Sequence, residues 1–191
     1  MIKALSYVLV GTRDLSGWLK LATELAGLQS DIIEPGRTAR LRMDGKLQRL
    51  VLQATDGPPS LGMGYTVRDA AAMEALAQQL ADAGFATLPA TADELALRGV
   101  ADMRYFHDPD GYRIEIAHDL REAGTTFVPG RPIGGFRTHA GGVDLGIGHA
   151  ALMAGDFAAM TRLYRDVLGF KLSDRANAPF VAEFYHVNPR H

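Results

Sequence analysis

The sequence predicts an α+β protein of tandem βαβββ modules that form cupped mixed sheets, with its second domain truncated. Three observations carry this. First, two stretches share one construction: residues 145–170 (LGIGHAALMAGDFAAMTRLYRDVLGF) and residues 5–28 (LSYVLVGTRDLSGWLKLATELAGL). Each opens apolar, passes an aspartate N-cap and continues as an amphipathic helix stopped by glycine. An offset of 142 (149 − 7) sets Asp14 on Asp156, Trp18 on Met160, Leu21 on Leu163 and Gly27 on Gly169. Second, a strand-helix-strand-strand order recurs inside residues 1–120. Third, residues 121–144 are crowded with glycine, carry two prolines and lack an apolar period, which marks a linker. The expected layout is an N-terminal domain over 1–120, a linker over 121–144, and the opening of a second domain over 145–191.

The elements follow in order. Residues 2–10 are apolar and β-rich and read as a buried strand. Asp14 caps a helix whose stripe is Leu15, Trp18, Leu21, Ala22 and Leu25, ended by Gly27. Residues 39–43 and 47–53 are short strands around Asp44-Gly45, a hairpin signal. Leu41 and Met43 alternate with Arg40 and Arg42, which predicts one wet face. Residues 55–60 form a loop and 61–67 a strand. Asp69 then starts a helix with Ala72, Met73, Leu76 and Leu80 on one face, stopped at Gly84. Residues 91–98 read as a short helical turn. Residues 103–107 and 112–118 flank Asp108-Pro109-Asp110-Gly111, where proline and glycine fit a tight hairpin. In the second unit, residues 171–174 and 180–187 are β-like. By the repeat, about 70 further residues would be needed to match residues 50–120, so a chain cut inside its second domain is expected.

Bulk properties narrow the function. The 191 residues are 47% hydrophobic and 22% charged with net charge −2, and no charge run suits nucleic acid or an acidic membrane. Cysteine is absent, which removes disulfides and thiolate metal sites and is compatible with a reducing cytosol. No apolar run reaches the roughly 20 residues of a membrane span, so a cytoplasmic location is expected.

Histidine offers the only candidate chemistry. His149 lies in the opening apolar segment of the second unit, where the first has Tyr7. One histidine on a buried strand is more often a hydrogen-bonded core residue than a ligand. His186 sits on another β-like run. His107 and His118 flank the hairpin as surface or loop residues, His139 is in the linker and His191 is terminal. No pair has HxxxH or HExxH spacing.

The duplicated plan, the GHAAL…LYRDVLGFKLSD stretch, the FHDPDGYRIEIAHD hairpin and the FYHVNPRH terminus resemble the vicinal-oxygen-chelate superfamily of glyoxalases, bleomycin-resistance proteins and dioxygenases. Within it they resemble type I extradiol dioxygenases acting on 2,3-dihydroxybiphenyl-like catechols. The resemblance implies Fe(II), or Mn(II) in some members, held by two histidines and one carboxylate in the C-terminal domain, with a metal-free N-terminal domain. It makes His149 the first metal ligand and puts Ala151 and Phe184 on the substrate pocket. Glu115 falls at the repeat position of the carboxylate ligand, as a leftover or a paired surface glutamate. His186 is structural. The second histidine ligand, the glutamate ligand and the acid/base histidine match no residue of this sequence, so no catalytic residue and no bound metal are expected in these 191 residues. Implied partners are a catechol-type substrate and dioxygen, in a homo-oligomer, without nucleic acid or membrane. A metal-free ligand-binding protein and a glyoxalase-like isomerase or lyase are the alternatives; the latter needs a first-domain ligand where Tyr7 stands.

Overall fold

A computed structural model describes residues 1–189; Arg190 and His191 lie outside the described residues. The first βαβββ unit comprises β1 (Ala4–Thr12), α1 (Leu15–Lys20, continued by a π-helical turn Leu21–Leu25), β2 (Gln29–Glu34), β3 (Thr38–Arg42) and β4 (Leu50–Ala54). The second comprises β5 (Ser60–Thr66), α2 (Ala70–Asp82), β6 (Leu88–Pro89), α3 (Ala92–Arg98), β7 (Asp102–His107) and β8 (Arg113–His118). Together they form one eight-stranded sheet in the order β2-β3-β4-β1-β5-β8-β7-β6. β1 pairs β4 and β5 pairs β8 in parallel, and every other neighbouring pair is antiparallel. The two units meet along β1 and β5, from Ala4↔Thr66 to Gly11↔Ser60.

Local chemistry sets the helices. Asp14 accepts a hydrogen bond from Gly17 N at 2.8 Å and Asp69 accepts one from Ala72 N at 2.9 Å. Thr91 and Glu94 close a reciprocal capping box on α3. Burial then follows strand parity. One sheet face packs Val10, Leu41 and Leu52 under Leu15 and Ala22 of α1, and Met63, Tyr65, Ile114 and Ile116 under Met73, Leu76 and Leu80 of α2. The other face gathers Tyr7, Leu9, Val51, Met103 and Ala117 beneath Leu95 and Leu97 of α3.

Three details differ from the sequence reading. The edge strands β2 and β6 were not foreseen, because they are short or exposed and carry little alternation. The arginine face of β3 is not wet. Arg42 is buried, its guanidinium donating to the carbonyls of Lys46, Asp44 and Thr125 and to the Thr125 hydroxyl. The linker is therefore packed against the sheet, and it contains the short pair β9 (His139–Ala140) and β10 (Val143–Asp144). Third, trailing Asp44-Gly45 is a fully buried Arg49, which binds Asp44 at 2.6 Å, Asp144 at 2.9 Å and the Ser6 carbonyl at 3.1 Å. Arg49 thereby clasps the end of the linker to β1.

The repeated unit follows as α4 (Phe157–Thr161, with a π-helical turn Arg162–Val167), β11 (Lys171–Ala176) and β12 (Ala182–His186). Asp156 caps α4 through Ala159 N at 2.9 Å, as Asp14 caps α1. Both helices carry a π turn at the same repeat position, and both end at a left-handed glycine, Gly27 and Gly169. β11 falls on β2 at the same offset, and β11–β12 form an antiparallel hairpin like β2–β3. The apolar side of α4 (Met160, Leu163, Tyr164, Val167 and Leu168) joins the α2 cluster. Gln79 donates to the Val167 carbonyl at 2.6 Å, and Asp110 accepts from Gly155 N and Asp156 N at 2.8 and 3.1 Å. The DPDG turn is thus also the seat of α4.

Two outcomes test this packing. Leu163 is fully buried, so Leu163→Ala is expected to cost about 2–5 kcal/mol in urea unfolding. Burial alone would raise the Asp44 pKa, but the hydrogen bonds and charge of Arg49 outweigh it and hold the carboxyl below its usual value. Its stabilising contribution is present above the ordinary carboxylate pKa of about 3.9 and is lost as pH falls through the lower folded value. Asp108 is shifted upward, chiefly by burial, and titrates with the opposite sign. The stability difference between wild type and Asp44→Asn isolates the Asp44 part, and it should shrink on acidification below about pH 4.

Candidate functional site

Two places correspond to the predicted site: the second unit around His149, and its counterpart around Tyr7. Residues 145–150 do not form the buried strand that the sequence predicts. They run as irregular chain tied to the start of β1. Ile147 N donates to the Leu5 carbonyl at 2.9 Å, and Leu145 N donates to the Thr138 carbonyl at 2.8 Å. Asn188 Nδ2 reaches the carbonyls of Lys3 and Leu145 at 3.1 and 3.2 Å. Gly146 takes a left-handed φ of +69° against the Leu5 carbonyl, where a side chain would collide. The physical reason for the missing strand is pairing. β1 is flanked by β4 and β5, and among the described residues the second unit has no counterpart of either.

Period-two alternation survives without the ladder. Ala150 and Leu152 pack against the α2–α4 cluster, while His149 and Ala151 are exposed on the other side. On β12, Tyr185 packs inward near Phe170 and Phe184 is 45% exposed. The predicted ligand and both predicted pocket residues therefore lie on solvent-facing sides. His186 shares a 2.6 Å hydrogen bond with Ser173 across the hairpin. Among the described residues no three His, Cys, Asp or Glu side chains are grouped to hold a metal ion. One imidazole is too few donors for a site of two histidines and a carboxylate, so the described residues alone do not make that metal site.

The counterpart in the first units is built quite differently. Glu115 is fully buried rather than at the surface. It receives Arg98 Nη2 at 3.0 Å, Arg98 Nε at 3.2 Å, Arg113 Nε at 2.7 Å and the Tyr7 hydroxyl at 2.9 Å. Arg113 also binds Glu94 at 2.6 Å and lies 3.6 Å over the Tyr105 ring. Burial, then the charge of Glu115, pushes the Tyr7 phenol well above its ordinary pKa and keeps it a donor. The Tyr7 ring lies so close over Gly64 that any side chain at position 64 would collide with it. Two guanidinium groups thus supply the positive charge that a cation would supply at a carboxylate in this position. Arg98 and Arg113 were missed in the sequence. Arg113 stands two residues from Glu115 on one strand face, which was a readable signal. Arg98 arrives from α3 and had none. His118, read as a surface or loop residue, is buried beside Asp119 at 2.9 Å.

A sheet of two βαβββ units, followed by a third begun on the same pattern, defines a tandem-module protein. The glyoxalase/bleomycin resistance protein/dioxygenase superfamily model matches residues 146–191. A biphenyl-2,3-diol 1,2-dioxygenase of Paraburkholderia xenovorans (strain LB400) is 32% identical over all of this chain and 64% of its own length. An iron-dependent extradiol dioxygenase of Rhodococcus jostii (strain RHA1) is 28% identical, over all of this chain and 66% of its own. The crystal structure of a catechol 2,3-dioxygenase superposes with a TM-score of 0.84 at 30% identity, covering 98% of this chain and 67% of that one. The chain belongs to the glyoxalase/bleomycin resistance/dioxygenase superfamily, and within it resembles the extradiol dioxygenases. It spans about two thirds of the length of the curated relatives it matches. No described helix is long and apolar enough to cross a membrane.

Removing Glu115 separates the two designs. Glu115→Ala leaves the buried Arg98 guanidinium without its carboxylate, while Arg113 keeps Glu94, and is expected to cost about 3–5 kcal/mol. Tyr7→Phe removes one hydrogen bond to a charged acceptor and should cost about 1.5–3 kcal/mol. Chemical denaturation of both variants checks the order, and neither should change metal content.

Proposed function

We propose that these residues belong to an extradiol ring-cleavage dioxygenase acting on a catechol-type aromatic. In this reading residues 1–120 form a metal-free N-terminal domain, 121–144 a linker, and 145 onward the start of the catalytic domain. The observation that supports it most is the 32% identity to a biphenyl-2,3-diol 1,2-dioxygenase along the whole chain. The cluster around Glu115 supports the division of labour, because its arginines and the Tyr7 ring occupy the first pair of modules. It also disfavours a glyoxalase-like lyase with a ligand in the first domain.

The reaction of this class opens an aromatic ring beside its two hydroxyls with dioxygen. Within this chain, His149 would be one iron ligand of the complete protein, with manganese the alternative metal. Ala151 and Phe184 would line the substrate wall, the small side chain leaving room and the aromatic one giving apolar contact. His186, bonded to Ser173, would hold the hairpin that presents Phe184. A homo-oligomer in the cytoplasm belongs to the same proposal.

Three substitutions in the complete gene product should fail in different ways. His149→Ala is expected to lose iron, measured by elemental analysis. Phe184→Ala should keep iron but weaken catechol binding. His186→Gln should leave both nearly intact and escape the roughly 10²–10⁴-fold rate loss of an acid/base residue. Iron retained by His149→Ala would overturn the ligand assignment.

A further inference from the structure

The repeat makes α1 and α4 equivalent helices, yet their outward faces have opposite fates. Met160, Leu163 and Val167 of α4 are 6%, 0% and 7% exposed against the α2 cluster. Their counterparts on α1 are Trp18, Leu21 and Leu25, and these are 38%, 49% and 64% exposed. Leu21 and Leu25 line a shallow depression with Gly17, Lys20 and Glu24. α1 already buries Leu15 and Ala22 on its own sheet, so this stripe is a second apolar face that the sheet does not need.

The packing of α4 indicates what covers it. The first helix of the second domain sits beside the second helix of the first domain. If the two domains are exchanged by a closed two-fold operation, α1 must sit beside the second helix of the second domain. An open, head-to-tail relation would leave α1 bare. The polar contacts have counterparts too. Arg162 donates to the Ala83 carbonyl at the C-terminal end of α2, at 3.2 Å. Lys20 holds the Arg162 position on α1, placed to meet the carbonyl end of an incoming helix. The chain covers 64% of a curated relative, which leaves in that relative enough sequence for such a module.

We propose that the Trp18, Leu21 and Leu25 stripe is the docking face for the second helix of the completed second domain, so that the two domains pack through two equivalent helix contacts. The proposal rests on the tandem-module reading and not on ring-cleavage chemistry, so a product with no dioxygenase activity still tests it. Hydroxyl-radical footprinting with mass spectrometry compares residues 1–191 with the complete gene product. Trp18 is the single tryptophan of this sequence and gives a strong signal. Its oxidation, and that of Leu21 and Leu25, should slow several-fold in the complete product, while exposed Ile32 and Ile33 on β2 stay unchanged. Equal rates in both proteins, or a reading frame that closes after His191, would overturn the proposal. Protection that grows with the concentration of the 191-residue chain would overturn it in favour of a second copy. Leu21→Lys gives an independent check. It should lower the melting temperature of the complete product and leave that of the 191-residue chain unchanged; a loss in both, or in neither, counts against the proposal.

Discussion

The antiparallel seam between β1 and β5 makes two modules into one sheet, and most other features follow from it. A βαβββ unit ends with β4 beside β1, leaving the other edge of β1 open. β5 fills that edge, and β8 then closes on β5 as β4 closes on β1. A first strand is therefore stable only when both neighbours are present. Residues 145–150 obey the same rule from the other side. They have the sequence of a first strand, but among the described residues they meet no counterpart of β4 or β5 and run as irregular chain against Leu5.

The seam also sets where chemistry can occur. Tyr7 lies on β1, Gly64 on β5 and Glu115 on β8, so three adjacent strands bring these positions together. Here the tyrosine ring covers the glycine and the carboxylate faces Arg98 and Arg113. The residues are mutually dependent: Gly64 admits the ring, the ring places the hydroxyl on Glu115, and the arginines compensate the buried charge. Changing one toward a metal ligand would leave the others mismatched, and so this half holds as a structural charge cluster.

How much was legible in the sequence depended on the range of the interaction. Caps, glycine stops and the DPDG turn are local, and Asp14, Asp69, Gly27 and Gly84 all do what their neighbours predicted. The repeat exposed the helix of the second unit because its period lies within the helix itself. What failed was set by partners far away in the chain. Arg42 reads as a solvated face until the linker residue Thr125 covers it. Glu115 reads as a surface glutamate until α3 brings Arg98. His149 reads as buried because its segment is apolar, yet burial of a strand comes from neighbours that its own residues cannot specify. Trp18, Leu21 and Leu25 fit one helical stripe with Leu15 and Ala22, and only the sheet separates the two faces.

Order in the second unit is consequently borrowed from the first. α4 is fixed by Asp110 at its start, Gln79 at its end and the α2 cluster along its side. The chain before it is fixed by Arg49 on Asp144, and by Gly146 lying against Leu5. His149 hangs between these two anchors, three residues beyond Gly146 and seven before the Asp156 cap. Together the anchors limit where the imidazole can go. The first pair of modules needs no metal to do this. Its charge cluster keeps β1, β5 and β8 in register, and that register fixes both Leu5 and the DPDG turn. The first pair of modules then acts as the template on which the second unit is laid down.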